Sequence, residues 1–182
     1  MTWLAILREP ASLENLQAVL RPEGTRPVSR GQLLEAVEAL HRRSLIERGT
    51  QPGSFTLQSV VLEYVIARLI TDGRHEIEQG RLDRLIEYGL AQAQAPDYVR
   101  QTQERLIVAP LLTALRTAYP QRAAVEEQLL RLVAQLRTLE GEAQGYGPAN
   151  LLALLRAHRG DLRGLDLAGL ALGGIYLQGV EL

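Results

Sequence analysis

Residues 29–58 read SRGQLLEAVEALHRRSLIERGTQPGSFTLQ and carry three signals in a row. Ser29, with Gln32 three residues on, matches a capping box, in which two side chains satisfy the free N–H groups at a helix start. Leu33, Leu34, Val37 and Leu40 then recur at helical spacing, which predicts a helix with one face to bury. "RSLIER" and "FTLQ" read as short strands, and the turn residues of "GTQPGS" between them predict a β-hairpin. Upstream, "TWLAIL" predicts a short apolar helix stopped near Pro10, which has no N–H to give. Ser12 is placed to cap a second helix running to Leu20, and "RPEGTRP" is a loop.

Three helices followed by a two-stranded hairpin is the order of a winged helix, and it covers residues 1–58. Such a domain invites a nucleic-acid reading, with Arg42 and Arg43 on the third helix as phosphate contacts. Glu35 and Glu38 oppose it, because they lie where a reading helix meets the groove. Arginines 8, 21, 26, 30, 42, 43 and 48 are nearly balanced by glutamates 9, 14, 23, 35, 38 and 47, so no basic face stands out.

Residues 59–140 read as a helical bundle or arm. A stripe from Val61 to Ile70 ends at Gly73, and a second helix carries Ile77, Leu82, Leu85, Ile86 and Leu90. A third starts at Asp97 as N-cap and kinks or ends at Pro110, and a fourth carries Val125, Leu129, Leu132, Val133, Leu136 and Leu139. "GEAQGYGPAN" reads as a hinge leading into one last short helix, so residues 141–158 form a linker.

The tail, residues 159–182, keeps a five-residue beat: Leu162, Leu167, Leu172, Leu177 and Leu182, with Gly164, Gly169, Gly174 and Gly179. A helix with glycine at every fifth interior position loses about 1 kcal/mol at each relative to alanine. In a flat strand an odd period sends the leucines alternately to opposite faces. A leucine-rich repeat has a period of 20 to 29 residues and a fixed Asn or Cys, which this tail does not show. A coil with short five-residue sides fits the beat. Because each coil buries its face on a neighbour, about one turn is not expected to be stable alone. The chain is therefore expected to be a piece of a longer protein.

Composition narrows the chemistry. The chain has 182 residues, 46% hydrophobic and 23% charged, with net charge −1, as a globular protein has. There is no cysteine, which removes disulfides, thiolate metal sites and cysteine nucleophiles. There is also no lysine, which removes the P-loop lysine and any Schiff base. "RHEIEQ" begins like a zincin helix, but Gln79 stands where a second histidine is needed, and His41, His75 and His158 are far apart. Carboxylate pairs such as Glu76 with Glu78, or Glu126 with Glu127, read as solvated helix faces. No metal site and no catalytic constellation follows. Neither a signal peptide nor a membrane span is present, so the cytoplasm is the expected compartment.

The tail resembles the pentapeptide-repeat family, in which a right-handed β-helix points a central leucine inward from each side. Leu162 to Leu182 would be those residues, with Asp161 and Asp166 as the polar residue before the leucine. Leu165, Leu170, Ile175 and Val180 stand where the family keeps small residues, so the coil would be wider or imperfect, and Ala171 and Tyr176 depart from its polar position.

The blocks "TWLAILREPASLENLQAVL", "LLEAVEALHRRSLIERG", "FTLQSVVLEYVIARLI" and "DYVRQTQERLIVAPLL", in that order, are similar to the region after the nucleotide-binding core of bacterial NB-ARC signalling ATPases, the STAND class. So is the junction "GYGPANLLALLRAHRGDLRGLDLAGLALGGIYLQGVEL". The resemblance implies a winged helix that closes over ADP, a helical arm and a WD-repeat or pentapeptide sensor. The ADP or ATP would sit in an upstream domain, with no cofactor in this chain. It also implies one site residue. Gln58 stands where family members often place a histidine that touches the ADP phosphate, and a glutamine amide donates to phosphate without a charge.

The expected function is thus a non-catalytic regulatory or scaffolding segment whose partners are a nucleotide-binding domain and a repeat domain. A winged-helix DNA-binding regulator and a stand-alone protein-interaction adaptor are the alternatives.

Overall fold

The computed structural model describes residues 1–20, 28–93 and 95–172. It is mainly helical with a small antiparallel sheet, and it divides into two compact units, Met1–Leu69 and Ile70–Leu182.

The first unit begins with α1 (Thr2–Leu7), in which Trp3, Leu4, Ala5 and Ile6 are all buried. The chain then enters β1 (Ala11–Ser12), α2 (Leu13–Val19), α3 (Arg30–Arg42), β2 (Ile46–Arg48) and β3 (Ser54–Leu57). The sheet order is β1-β3-β2, with Ala11 opposite Phe55 and Ile46 opposite Leu57. The third strand, β1, is absent from the sequence reading. At two residues it is too short to show an alternating pattern, and only pairing with β3 makes it a strand. The hairpin turn closes on Gly49, where a Cβ would lie 2.3 Å from Ser54 Oγ and 2.5 Å from Pro10 Cβ, so only glycine fits there.

Both predicted caps form. Ser12 Oγ accepts from Asn15 N–H at 3.1 Å, and Ser29 and Gln32 complete the capping box at 3.2 and 3.1 Å. Leu33 and Val37 are buried in α3, but Leu34 is 42% exposed. The buried stripe is narrower than predicted, because Leu34 lies about 100° around the helix from Leu33.

α4 (Ser59–Glu78) carries the chain from the first unit into the second. The stripe does not stop at Gly73. Ile66, Leu69, Gly73 and Ile77 form one buried row, and burial of that row outweighs the roughly 1 kcal/mol lost at an interior glycine. The helix ends at Gly80 instead, at φ 70°, where Arg81 N–H bonds back to Glu76 C=O at 2.8 Å.

In the second unit the predicted long helix through Leu90 shrinks to α5 (Asp83–Glu87). Gly89 then passes so close to Tyr146 that a Cβ would meet the ring at 2.7 Å. Asp97 is the first helical residue rather than the cap, which is Pro96. Pro110 neither ends nor breaks its helix: α6 (Asp97–Gln103) runs through a π turn (Glu104–Val108) into α7 (Ala109–Ala118). The wider turn lies directly before the proline, where an α-helix would lose a hydrogen bond and crowd the carbonyl of Leu106.

α8 (Arg122–Leu136) buries Val125, Leu129, Leu132, Val133 and Leu136 as predicted, while Leu139 lies beyond the helix and is 37% exposed. The stretch read as a hinge is folded and packed: a 3₁₀ turn (Gly141–Gln144) leads straight into α9 (Gly147–Arg159). α9 packs on α8 and α7 and buries Leu151, Leu152, Leu154 and Leu155, each contributing about 2 kcal/mol by burial. Glu76, expected on a solvated face, is 7% exposed and accepts from Arg84 N–H at 2.8 Å. Burial raises its pKa, and that hydrogen bond works against the rise.

After Gly160 the described chain, to Leu172, forms turns and no strand. A right-handed β-helix is not established by these residues. Leu177, Leu182, Gly174, Gly179, Ile175, Val180 and Tyr176 lie outside the described residues.

Candidate functional site

The five-residue beat is visible as two turns of identical construction. Leu165 N–H bonds to Leu162 C=O at 3.2 Å, and Leu170 N–H bonds to Leu167 C=O at 3.3 Å. The third residue of each turn is a glycine with positive φ, 70° at Gly164 and 76° at Gly169. That conformation disfavours any residue with a Cβ, which explains the glycine period. The aspartates keep step. Asp161 Oδ1 accepts from Arg163 N–H at 3.1 Å, and Asp166 Oδ1 accepts from Ala168 N–H at 2.9 Å. Leu162 is buried at 2% exposure, Leu167 is half-buried, and Leu172 is 40% exposed. Apolar cover is therefore complete at the first step and thins at the later ones.

The second unit holds these turns by their main chain. Gln144, 1% exposed, donates from Nε2 to the carbonyls of Leu139 at 3.1 Å and Gly169 at 2.9 Å, and its Oε1 accepts from Ala171 N–H at 2.8 Å. One amide thus offers a donor and an acceptor to the repeat, as the backbone of a neighbouring coil would. Arg137, just past α8, donates to Asp166 C=O and lies 3.4 Å from the Asp166 carboxylate. Arg159 donates to Arg163 C=O at 2.9 Å.

Behind Gln144 the same segment is locked by Asn150. Its Oδ1 accepts from Leu90 N–H at 2.8 Å, and its Nδ2 donates to the carbonyls of Leu85 and Tyr88, both at 2.7 Å. Tyr146 N–H bonds to Ile86 C=O at 3.0 Å. Neither amide stands out in the sequence, because a buried glutamine or asparagine has no period and no charge. The only available signal was an amide placed among glycines just before a repeat.

His158 lies near the end of α9 at 1% exposure, and neither ring nitrogen has a hydrogen-bond partner among the described residues. Burial lowers its pKa, and the nearby Arg116 and Arg122 lower it further against the opposing charge of Glu126. Both arginines donate to the His158 carbonyl.

The residues singled out in the first unit sit differently. Gln58 is exposed, its N–H bonds to Leu45 C=O at 3.1 Å, and its carbonyl accepts the first bond of α4 from Leu62 N–H at 2.8 Å. Its side-chain amide has no partner among the described residues. Arg42 and Arg43 are exposed at the end of α3, and Arg42 lies 4.0 Å from Glu38, which offsets its charge. The two sets of residues belong to separate units.

Among the described residues no helix is long and apolar enough to cross a membrane, and no group of three or more His, Asp or Glu is placed to share a metal ion. No protein-family model matches the chain, and no solved structure matches it. The chain is similar to an uncharacterized WD repeat-containing protein of Nostoc sp., 34% identical over 215 residues. That similarity covers 100% of this chain and 17% of the Nostoc protein.

Proposed function

We propose that this chain is a non-catalytic regulatory segment of a STAND-class signal-transduction ATPase, coupling a repeat sensor to a nucleotide-binding domain. The observation that carries the reading is the clamp of Gln144 and Arg137 on the main chain of the five-residue turns. It gives a repeat domain a fixed mechanical start on a well-packed helical unit. Two further points support it. A winged unit with a capped third helix precedes the helical unit, and the Nostoc relative is named for WD repeats, which are protein-interaction domains.

In this reading the winged unit docks on a nucleotide-binding domain in the same or another chain. Gln58, exposed and with an unengaged amide, would reach a phosphate of ADP held there. The chain itself supplies binding surface and transmission, with protein partners rather than nucleic acid.

The test uses the full-length protein. ATP turnover is measured in the wild type, in a protein lacking the repeats, and in Gln144→Ala. Removal of the repeats is expected to change basal turnover, and Gln144→Ala is expected to reproduce part of that change. Turnover unaffected by either would sink the proposal.

A further inference from the structure

Beside the helical core lies a groove of about 650 Å³, with the α6 and π-turn segment on one wall and α9 on the other. Its volume falls in the range of small-molecule sites, about 300–1,000 Å³. The groove exists because Ala109, Ala153, Ala157 and Gly160 face it and leave space that larger side chains would fill. The π turn that forms part of one wall is a local departure from helix geometry of the kind often found at functional sites.

The charge lining the groove is one-sided. Arg100, Arg105 and Arg156 contribute to it against Glu104, and with Asp97 beside Arg100 one positive charge is left in excess. Arg156 pairs with Glu104, and Arg100, 8% exposed, is held by Asp97 at 2.8 Å. The Arg105 side chain has no hydrogen-bond or ion-pair partner among the described residues and is exposed to solvent. A guanidinium offers a rigid fork of donors that matches phosphate oxygens two at a time.

We infer that this groove binds a small molecule through a phosphate group, with Arg105 and Arg156 as the contacting cations. The site is independent of the coupling role proposed above, because none of its residues belongs to the clamp on the tail.

Inorganic phosphate and ribose 5-phosphate are titrated into the whole chain by calorimetry, with succinate as the carboxylate probe. Saturable binding of ribose 5-phosphate is expected, weakened at least roughly tenfold in Arg105→Ala and in Arg105→Gln, and unchanged in Arg131→Ala on α8. Circular dichroism of each variant confirms that the helices are intact. No saturable binding of either phosphate up to about 10 mM overturns the inference. So does binding that ignores both Arg105 substitutions, or succinate bound as tightly as ribose 5-phosphate.

Discussion

The first unit and the second treat polar side chains in opposite ways. In the first, Gln58, Arg42 and Arg43 stand in solvent, and side-chain bonds such as those of Ser29 with Gln32 are short-range caps. In the second, Asn150 and Gln144 are buried to 1% exposure and bond main-chain groups up to 65 residues away. A cap or a surface arginine is worth about 1 kcal/mol or less and tolerates change. A buried amide is different, because its loss strands every group it had satisfied. The first unit therefore keeps these polar groups in solvent, while the second holds its shape by a few irreplaceable contacts.

The most direct way to break this contrast is Asn150→Ala. It leaves Leu90 N–H and the Leu85 and Tyr88 carbonyls unpaired, and about 3–5 kcal/mol of unfolding free energy is expected to disappear in a urea melt. A loss below about 1 kcal/mol would mean the loop after α5 is held by other contacts.

Gln144→Ala is expected to cost less, about 1–3 kcal/mol, and to act locally. Hydrogen exchange at Leu170 and Ala171 should quicken, while amides of α8 keep their protection. If α8 loosens equally, the clamp belongs to the core and not to the tail.

His158 sharpens the comparison through pH. Its folded pKa lies below the ordinary histidine value of about 6.5, so below that pH the unfolded chain binds the proton more readily. Its contribution to stability is complete above about pH 6.5 and is lost as pH falls towards the lowered folded value. Melting temperatures measured from pH 7.5 to 5 should fall in the wild type and fall less steeply in His158→Leu. Equal slopes would remove His158 from the account.

The smallest effect is expected in the first unit. Gln58→Ala should change stability by less than about 0.5 kcal/mol, because its amide is exposed and its main-chain bonds survive. A larger loss would mean that its side chain supports the start of α4.

What was legible in the sequence was what a local pattern can carry. The capping box at Ser29, the cap at Ser12 and the hairpin between Ile46 and Leu57 depend on neighbours within a few residues. The buried row of α8 and the glycine beat at 164 and 169 are periodic and equally local, since each follows from the φ or the face required at one position. The breakers misled, because Gly73 and Pro110 signal an end only when nothing outside the helix holds it together. β1, the packing of residues 141–150 and the reach of Gln144 to Ala171 needed the tertiary structure. Each depends on groups brought together from distant parts of the chain, and a buried amide selects its partners by geometry that leaves no periodic trace.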